Sequence, residues 1–152
     1  MTYTVRFTHL AELPPVIIGG NVNRGQCVGR MGNTGQSTAS HLHIDCVHDR
    51  IAAVYRQSDM SNLILLAALD QLVYFIDDEL FKCPLSVTSG VADIDYFIQF
   101  EKIHMGFDVV PANRHTTEEN FDIFWNRSKP GKVISMGYDD GYGNYCNIAF
   151  DA

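Results

Sequence analysis

The amino-acid sequence predicts a mainly β chain, an antiparallel β-sheet sandwich or barrel-like core with one inserted α-helix. Two observations lead there. Polar and apolar residues alternate strictly in Thr2-Tyr-Thr-Val-Arg-Phe-Thr8 and again in His41-Leu-His-Ile-Asp-Cys46, while apolar residues recur at three and four residues in only one stretch. Alternation places every second side chain on one sheet face, whereas a three-to-four spacing lines one side of a helix. With 152 residues, 46% of them apolar, the chain can bury one core, and it is read as one domain spanning residues 1–152.

Taken in order, Tyr3, Val5 and Phe7 share the buried face of a first strand that ends at His9. Short strands are expected at Val16 to Ile18 and Cys27 to Met31, and a glycine-rich turn, Gly32-Asn-Thr-Gly35, leads into the His41–Cys46 strand. Leu65, Leu69, Leu72, Phe75, Ile76 and Leu80 then predict a helix over Ser61 to Phe81, with Ser61 or Asn62 as its N-cap. After Cys83-Pro84 the β pattern returns at Leu85 to Thr88, Asp95 to Phe100, Phe107 to Val110, Lys132 to Met136 and Tyr145 to Phe150. Pro111 to Pro130 is polar, carries the single Trp and reads as a long surface loop.

Composition narrows the function classes. The net charge of -7 argues against nucleic acid and anionic membrane surfaces as partners, since both require a basic face. Met1 to Pro15 holds one Arg and no continuous apolar run, so no secretory signal peptide is read there; Leu63 to Ile76 is broken by Asp70 and Gln71 and is too short for a membrane span. Cys27, Cys46, Cys83 and Cys146 are scattered without a C-x-x-C pair, which fits free thiols better than a zinc knuckle or a redox motif.

Histidines carry the remaining chemistry. On a strand, His41 and His43 project from one face while Leu42 and Ile44 enter the core, and Cys46 falls on the core parity. His104 and Asp108 are four apart in a segment that Gly106, Val109, Val110 and Pro111 bias towards extended structure. Two imidazoles and a carboxylate are an ordinary ligand set for catalytic zinc, which takes three protein ligands and keeps a fourth position open; His104, Asp108 and one histidine of the H-L-H strand would complete it. His9 ends the first strand and adds a further imidazole of the kind a metallopeptidase uses to move a proton or hold an oxyanion. His48 and His115 lie in polar loop sequence and receive no role.

These pieces resemble the lysostaphin or LytM family of zinc metallopeptidases, whose order is H-x-x-x-D, G-x-G-N, a strand ending in His-Leu, then a glycine-rich stretch closed by H-x-H. His104-Met-Gly-Phe-Asp108 resembles the first motif, and Gly131 to Gly137 with Gly141-Tyr-Gly-Asn-Tyr145 the second. Tyr3 to Leu10 is similar to the middle strand, and Gly25 to Gly29, Gly32 to Gly35 and Ser37 to His43 to the closing part. The order differs, because the closing half comes first. Residues 1–50 would be the C-terminal half of the family pattern, 51–82 a helical connection and 83–152 the N-terminal half, a circular permutation that joining Ala152 to Met1 would undo. Ala39 and Ser40 replace the usual Gly and Pro, and Asp45 the usual Glu.

The resemblance implies a metallopeptidase core in which His104, Asp108 and His43 bind Zn2+ and His41 and His9 form the catalytic pair, with His41 as general base and His9 on the oxyanion, or the reverse. The zinc would polarise the scissile carbonyl and lower the pKa of its water towards about 7. Substrates would be peptide cross-links of bacterial peptidoglycan, and Tyr138, Tyr142, Phe124 and Trp125 either line the groove or pack the core. A chain read without a signal peptide yet acting at the cell wall fits a phage lysis or tail-associated enzyme. Alternatives are a non-catalytic wall-binding or regulatory relative, a structural part of a virion, and a homodimer whose chains exchange halves so that each site is shared.

Overall fold

The computed structural model describes residues 2–47, 70–91, 93–101, 104–112 and 121–152. Among these residues nine strands are formed, all paired antiparallel: β1 Thr2–Leu10, β2 Asn21–Val22, β3 Cys27–Arg30, β4 Leu42–Val47, β5 Leu85–Ser89, β6 Gly106–Pro111, β7 Asp122–Phe124, β8 Gly131–Asp139 and β9 Gly143–Asp151. Seven of them make one sheet in the order β2-β8-β9-β1-β4-β6-β5, and β3 with β7 makes a second. The mainly β, antiparallel prediction holds.

The alternation read from the sequence is the alternation of burial. Val5, Phe7, Leu42, Ile44, Ile148 and Phe150 face the core, where they meet Val28 of β3, Ile123 of β7 and Leu72, Phe75 and Leu80 from the segment before β5. Phe75 packs edge-on against Phe7, Trp125 and Phe150. On the opposite face of the sheet, His43 and Asp45 of β4 project beside Arg6 and Thr8 of β1 and Asp108 of β6. One hydrophobic layer therefore backs a polar face, and the polar face carries the site.

Four expectations change. Asp95 to Phe100 is not a strand but lies in a helix, α1 Ile94–Phe100, because Asp93 caps it by accepting a hydrogen bond from Asp95 N, and local capping outweighs a six-residue alternation. It is also a second helix beside the one expected. Val16 to Ile18 has no strand partner; Ile17 and Ile18 are exposed, and the chain turns through Gly19 with φ 86°. The far end of the Pro111 to Pro130 segment holds β7 and the fully buried Trp125, whose Nε1–H donates to Lys129 O, so Trp125 belongs to the core and lines no groove. Of the helix expected over residues 61–81, residues 61–69 lie outside the described ones; residues 70–73 are helical, and turns follow from residue 74.

Candidate metal and catalytic site

Three strands and the segment entering β6 converge on one group of side chains. β4 sits between β1 and β6, with Thr8 opposite His43 and His43 opposite Asp108. His104 stands just ahead of β6, buried at 2% exposure. Strand approach here depends on Gly106: a Cβ at that position would fall on Ile44 O and within 3.0 Å of the His43 ring. His43 Nδ1 lies 2.9 Å from Asp108 Oδ1 and 3.2 Å from His104 Nε2, which is 3.4 Å from Asp108 Oδ1. One ligand atom from each residue falls within 4.8 Å of the others.

This arrangement suits a small tetrahedral ion. Metal–ligand bonds near 2.0–2.1 Å at tetrahedral angles put neighbouring ligand atoms about 3.3 Å apart, close to the separations just given. Hydrogen bonds also aim the rings. A backbone carbonyl can only accept, so His104, with Nδ1 2.8 Å from Gly90 O, donates there and turns the Nε2 lone pair to the cluster. His43 is turned the other way: Nε2 donates to Asp45 Oδ2 at 3.1 Å, leaving Nδ1 inward. Such outer hydrogen bonds fix the tautomer and orientation of metal-ligating histidines.

His41 and His9 flank the cluster. His41 donates from Nδ1 to Ala39 O at 2.8 Å, beside Ser37, and its Nε2 is 3.6 Å from Asp108 Oδ1. His9 donates from Nδ1 to Thr34 O at 2.7 Å, and its ring centroid is 4.9 Å from that of His41. The β1 register slips between Phe7 and Leu10, and His9 takes φ 58° there, a left-handed conformation rare for a non-glycine residue. Its backbone N–H is held by Tyr142 O in the β8–β9 turn, which presses on the loop of Thr34 so closely that a Cβ on Gly143 would strike Thr34.

Electrostatics follow from these contacts. Burial alone would lower the His43 pKa, but hydrogen bonds with Asp108 and Asp45 outweigh it and push it up to about 9. Burial would raise Asp108, and bonds with His104 and His43 overcome it, so the carboxyl sits well below its usual range. Burial lowers the His9 pKa and keeps that ring neutral, only partly opposed by the bond to Thr34.

All five residues singled out in the sequence, His9, His41, His43, His104 and Asp108, are thus gathered on one face; His48 and His115 fall outside the described residues. Tyr142 covers the Arg6 guanidinium beside the site and Tyr138 is exposed, while Phe124 is half-buried under Lys82. Sequence reading missed Asp45 and Arg6, although H-x-H-x-D alternation places Asp45 on the histidine face. The carbonyls of Thr34, Ala39 and Gly90 leave no sequence signal, because any residue supplies one. Tyr96 of α1, whose ring lies 4.5 Å from that of His104, falls within the strand that the sequence predicts over Asp95 to Phe100 and so carries no signal there.

The family model of peptidase family M23 matches residues 1–54, just over a third of the chain. That stretch contains His9, His41 and His43 and is similar to the metallopeptidases of that family. No solved structure matches the chain. Among the described residues, no helix is long and apolar enough to cross a membrane.

Proposed function

We propose that the chain is a zinc-dependent endopeptidase acting on peptide cross-links of bacterial peptidoglycan, with His43, His104 and Asp108 as the zinc ligands. The observation that carries this reading is the convergence of those three donors, two of them oriented by outer hydrogen bonds, with His9 and His41 beside them. The similarity of residues 1–54 to peptidase family M23 supports a metallopeptidase-type hydrolase. Bound there, the ion would supply Lewis acidity to the scissile carbonyl and to water.

The protein's own groups divide the proton work. His41 and His9 each spend Nδ1–H on a carbonyl, so each neutral ring offers Nε2 as an acceptor and donates from it only after protonation. His41, with Nε2 bordering Asp108, is assigned to take the proton of the attacking water and return it to the leaving amine. His9 is assigned to the oxyanion, which it holds by donating from Nε2 once protonated. Because burial favours neutral His9, the reverse assignment is the alternative.

We also read the chain as circularly permuted relative to the family order. Supporting this, β9 and β1 are neighbours with Thr2 opposite Asp151, so the ancestral junction would be an ordinary hairpin turn. A phage lysis or tail-associated role is our reading of where such a chain acts.

Zinc content and loss of peptidoglycan turbidity, measured on one preparation, test the proposal. The wild type should carry about one zinc per chain and clear walls. His104→Ala should lose both, and His41→Ala should keep the metal and lose turnover by about 100-fold or more. Zinc bound without any wall cleavage would favour a non-catalytic wall-binding relative; absence of metal would end the metallopeptidase reading.

A further inference from the structure

His43 differs from the other three histidines of the cluster in what holds it. His9, His41 and His104 each donate Nδ1–H to a backbone carbonyl fixed by the fold. His43 instead donates Nε2–H to a side chain, Asp45, which has its own anchor. Arg6, directly opposite Asp45 in the β1–β4 register, grips both carboxylate oxygens, Nε to Oδ1 and Nη2 to Oδ2, each at 2.9 Å. Asp45 is only 6% exposed, and the Tyr142 ring lies 4.1 Å over the guanidinium with its hydroxyl 3.2 Å from Nη2.

His43 stands between two carboxylates, Asp108 on Nδ1 and Asp45 on Nε2. Either nitrogen has a partner able to take its proton, so the ring alone does not decide which nitrogen becomes the metal donor. Arg6 decides it. By engaging both Asp45 oxygens, the guanidinium fixes that carboxylate as an acceptor for His43 Nε2–H.

We propose that Arg6 and Asp45 are positioning residues that lock His43 in the Nε2–H tautomer and thereby make Nδ1 the metal-binding atom, an inference that rests on the metal-site reading above. The arrangement is a carboxylate–histidine–metal relay extended by one arginine. Asp45 raises the electron density of the ring it accepts from, and Arg6 sets its angle.

The test uses the full chain, zinc as the probe, and two readouts other than turnover. Zinc affinity is measured by competition with a fluorescent chelator, and the His43 tautomer by the imidazole nitrogen shifts in long-range proton–nitrogen NMR. Wild type should show protonated Nε2 and metallated Nδ1. Asp45→Ala and Arg6→Met should each weaken zinc about 10- to 100-fold and shift the His43 nitrogen signals, and Asp45→Glu should recover part of the loss. If Asp45→Ala does not fold, Asp45→Asn, nearly identical in shape, carries the test, with a loss of about tenfold. A merely structural pair would lower thermal stability and leave zinc affinity and the nitrogen shifts of the folded variants unchanged, and that result would overturn the inference while wild type still binds zinc. A wild type that takes no zinc, or a His104→Ala variant that binds as tightly as wild type, would overturn the underlying reading and the inference together.

Discussion

At His9 the backbone and the side chain make opposite demands. The ring is anchored on Thr34 O among the other imidazoles, but the residue reaches that place only with φ 58°. For an L-residue this conformation costs about 1–2 kcal/mol, and glycine adopts it freely. Comparing two truncations isolates the cost. His9→Ala and His9→Gly remove the same ring, so both should lose turnover, yet the glycine variant should be the more stable by about 1 kcal/mol in urea unfolding. Equal stabilities, or a more stable alanine variant, would mean that the bulge does not hold this conformation in solution. Strain concentrated at a bulge beside the site is what a functional constraint on ring placement produces. None of it is legible in Thr8-His9-Leu10, where position on a strand end is the only signal.

At the scale of the elements, the site is a consequence of how β1, β4 and β6 pair, and the β4–β6 approach hinges on one residue without a side chain. A Cβ on Gly106 would meet Ile44 O and the His43 ring, so Gly106→Ala should force the strands apart, destabilise the fold by about 1–3 kcal/mol, and weaken zinc because His43 and Asp108 face each other across that pair. Urea titration with a parallel zinc competition checks it; an unchanged zinc affinity would show that the ligands do not depend on strand spacing. The elements also show what the sequence made legible. His41-Leu-His-Ile-Asp-Cys46 announced its two faces because a half-buried strand must alternate, and His104 with Asp108 could be placed on extended chain because Gly, Val and Pro surround them. Asp95 to Phe100 misled for the same reason inverted: Phe97, Ile98 and Phe100 are exposed in α1, so core packing did not select their spacing, and a single capping carboxylate decided the helix. Trp125 sat in polar sequence, yet it is buried by Phe75 and Phe150, whose distance along the chain hides the contact.

For the whole molecule, the question is how residues nearly a hundred positions apart come to share one site. His9, His41 and His43 come from the first third of the chain, and His104 and Asp108 from beyond residue 100; in the fold a single chain supplies all five through neighbouring strands of one sheet. The rival arrangement, two chains exchanging halves, would build the same geometry from one chain's β1 and β4 and the other's β6, since domain swapping preserves every local contact. The two can be separated with inactive variants. In the single-chain arrangement His43→Ala and His104→Ala each lack a ligand in every molecule, so mixing them, even after joint unfolding and refolding, should restore neither zinc binding nor turnover. With exchanged halves, a mixed dimer would carry one site with both defects and one with neither, and refolding an equimolar mixture would recover a substantial fraction of both signals. Because β9, β1, β4 and β6 are consecutive in the sheet and their order closes within one chain, the expected outcome is no recovery at any protein concentration. Recovery on mixing would move β6, and with it His104 and Asp108, to a second chain.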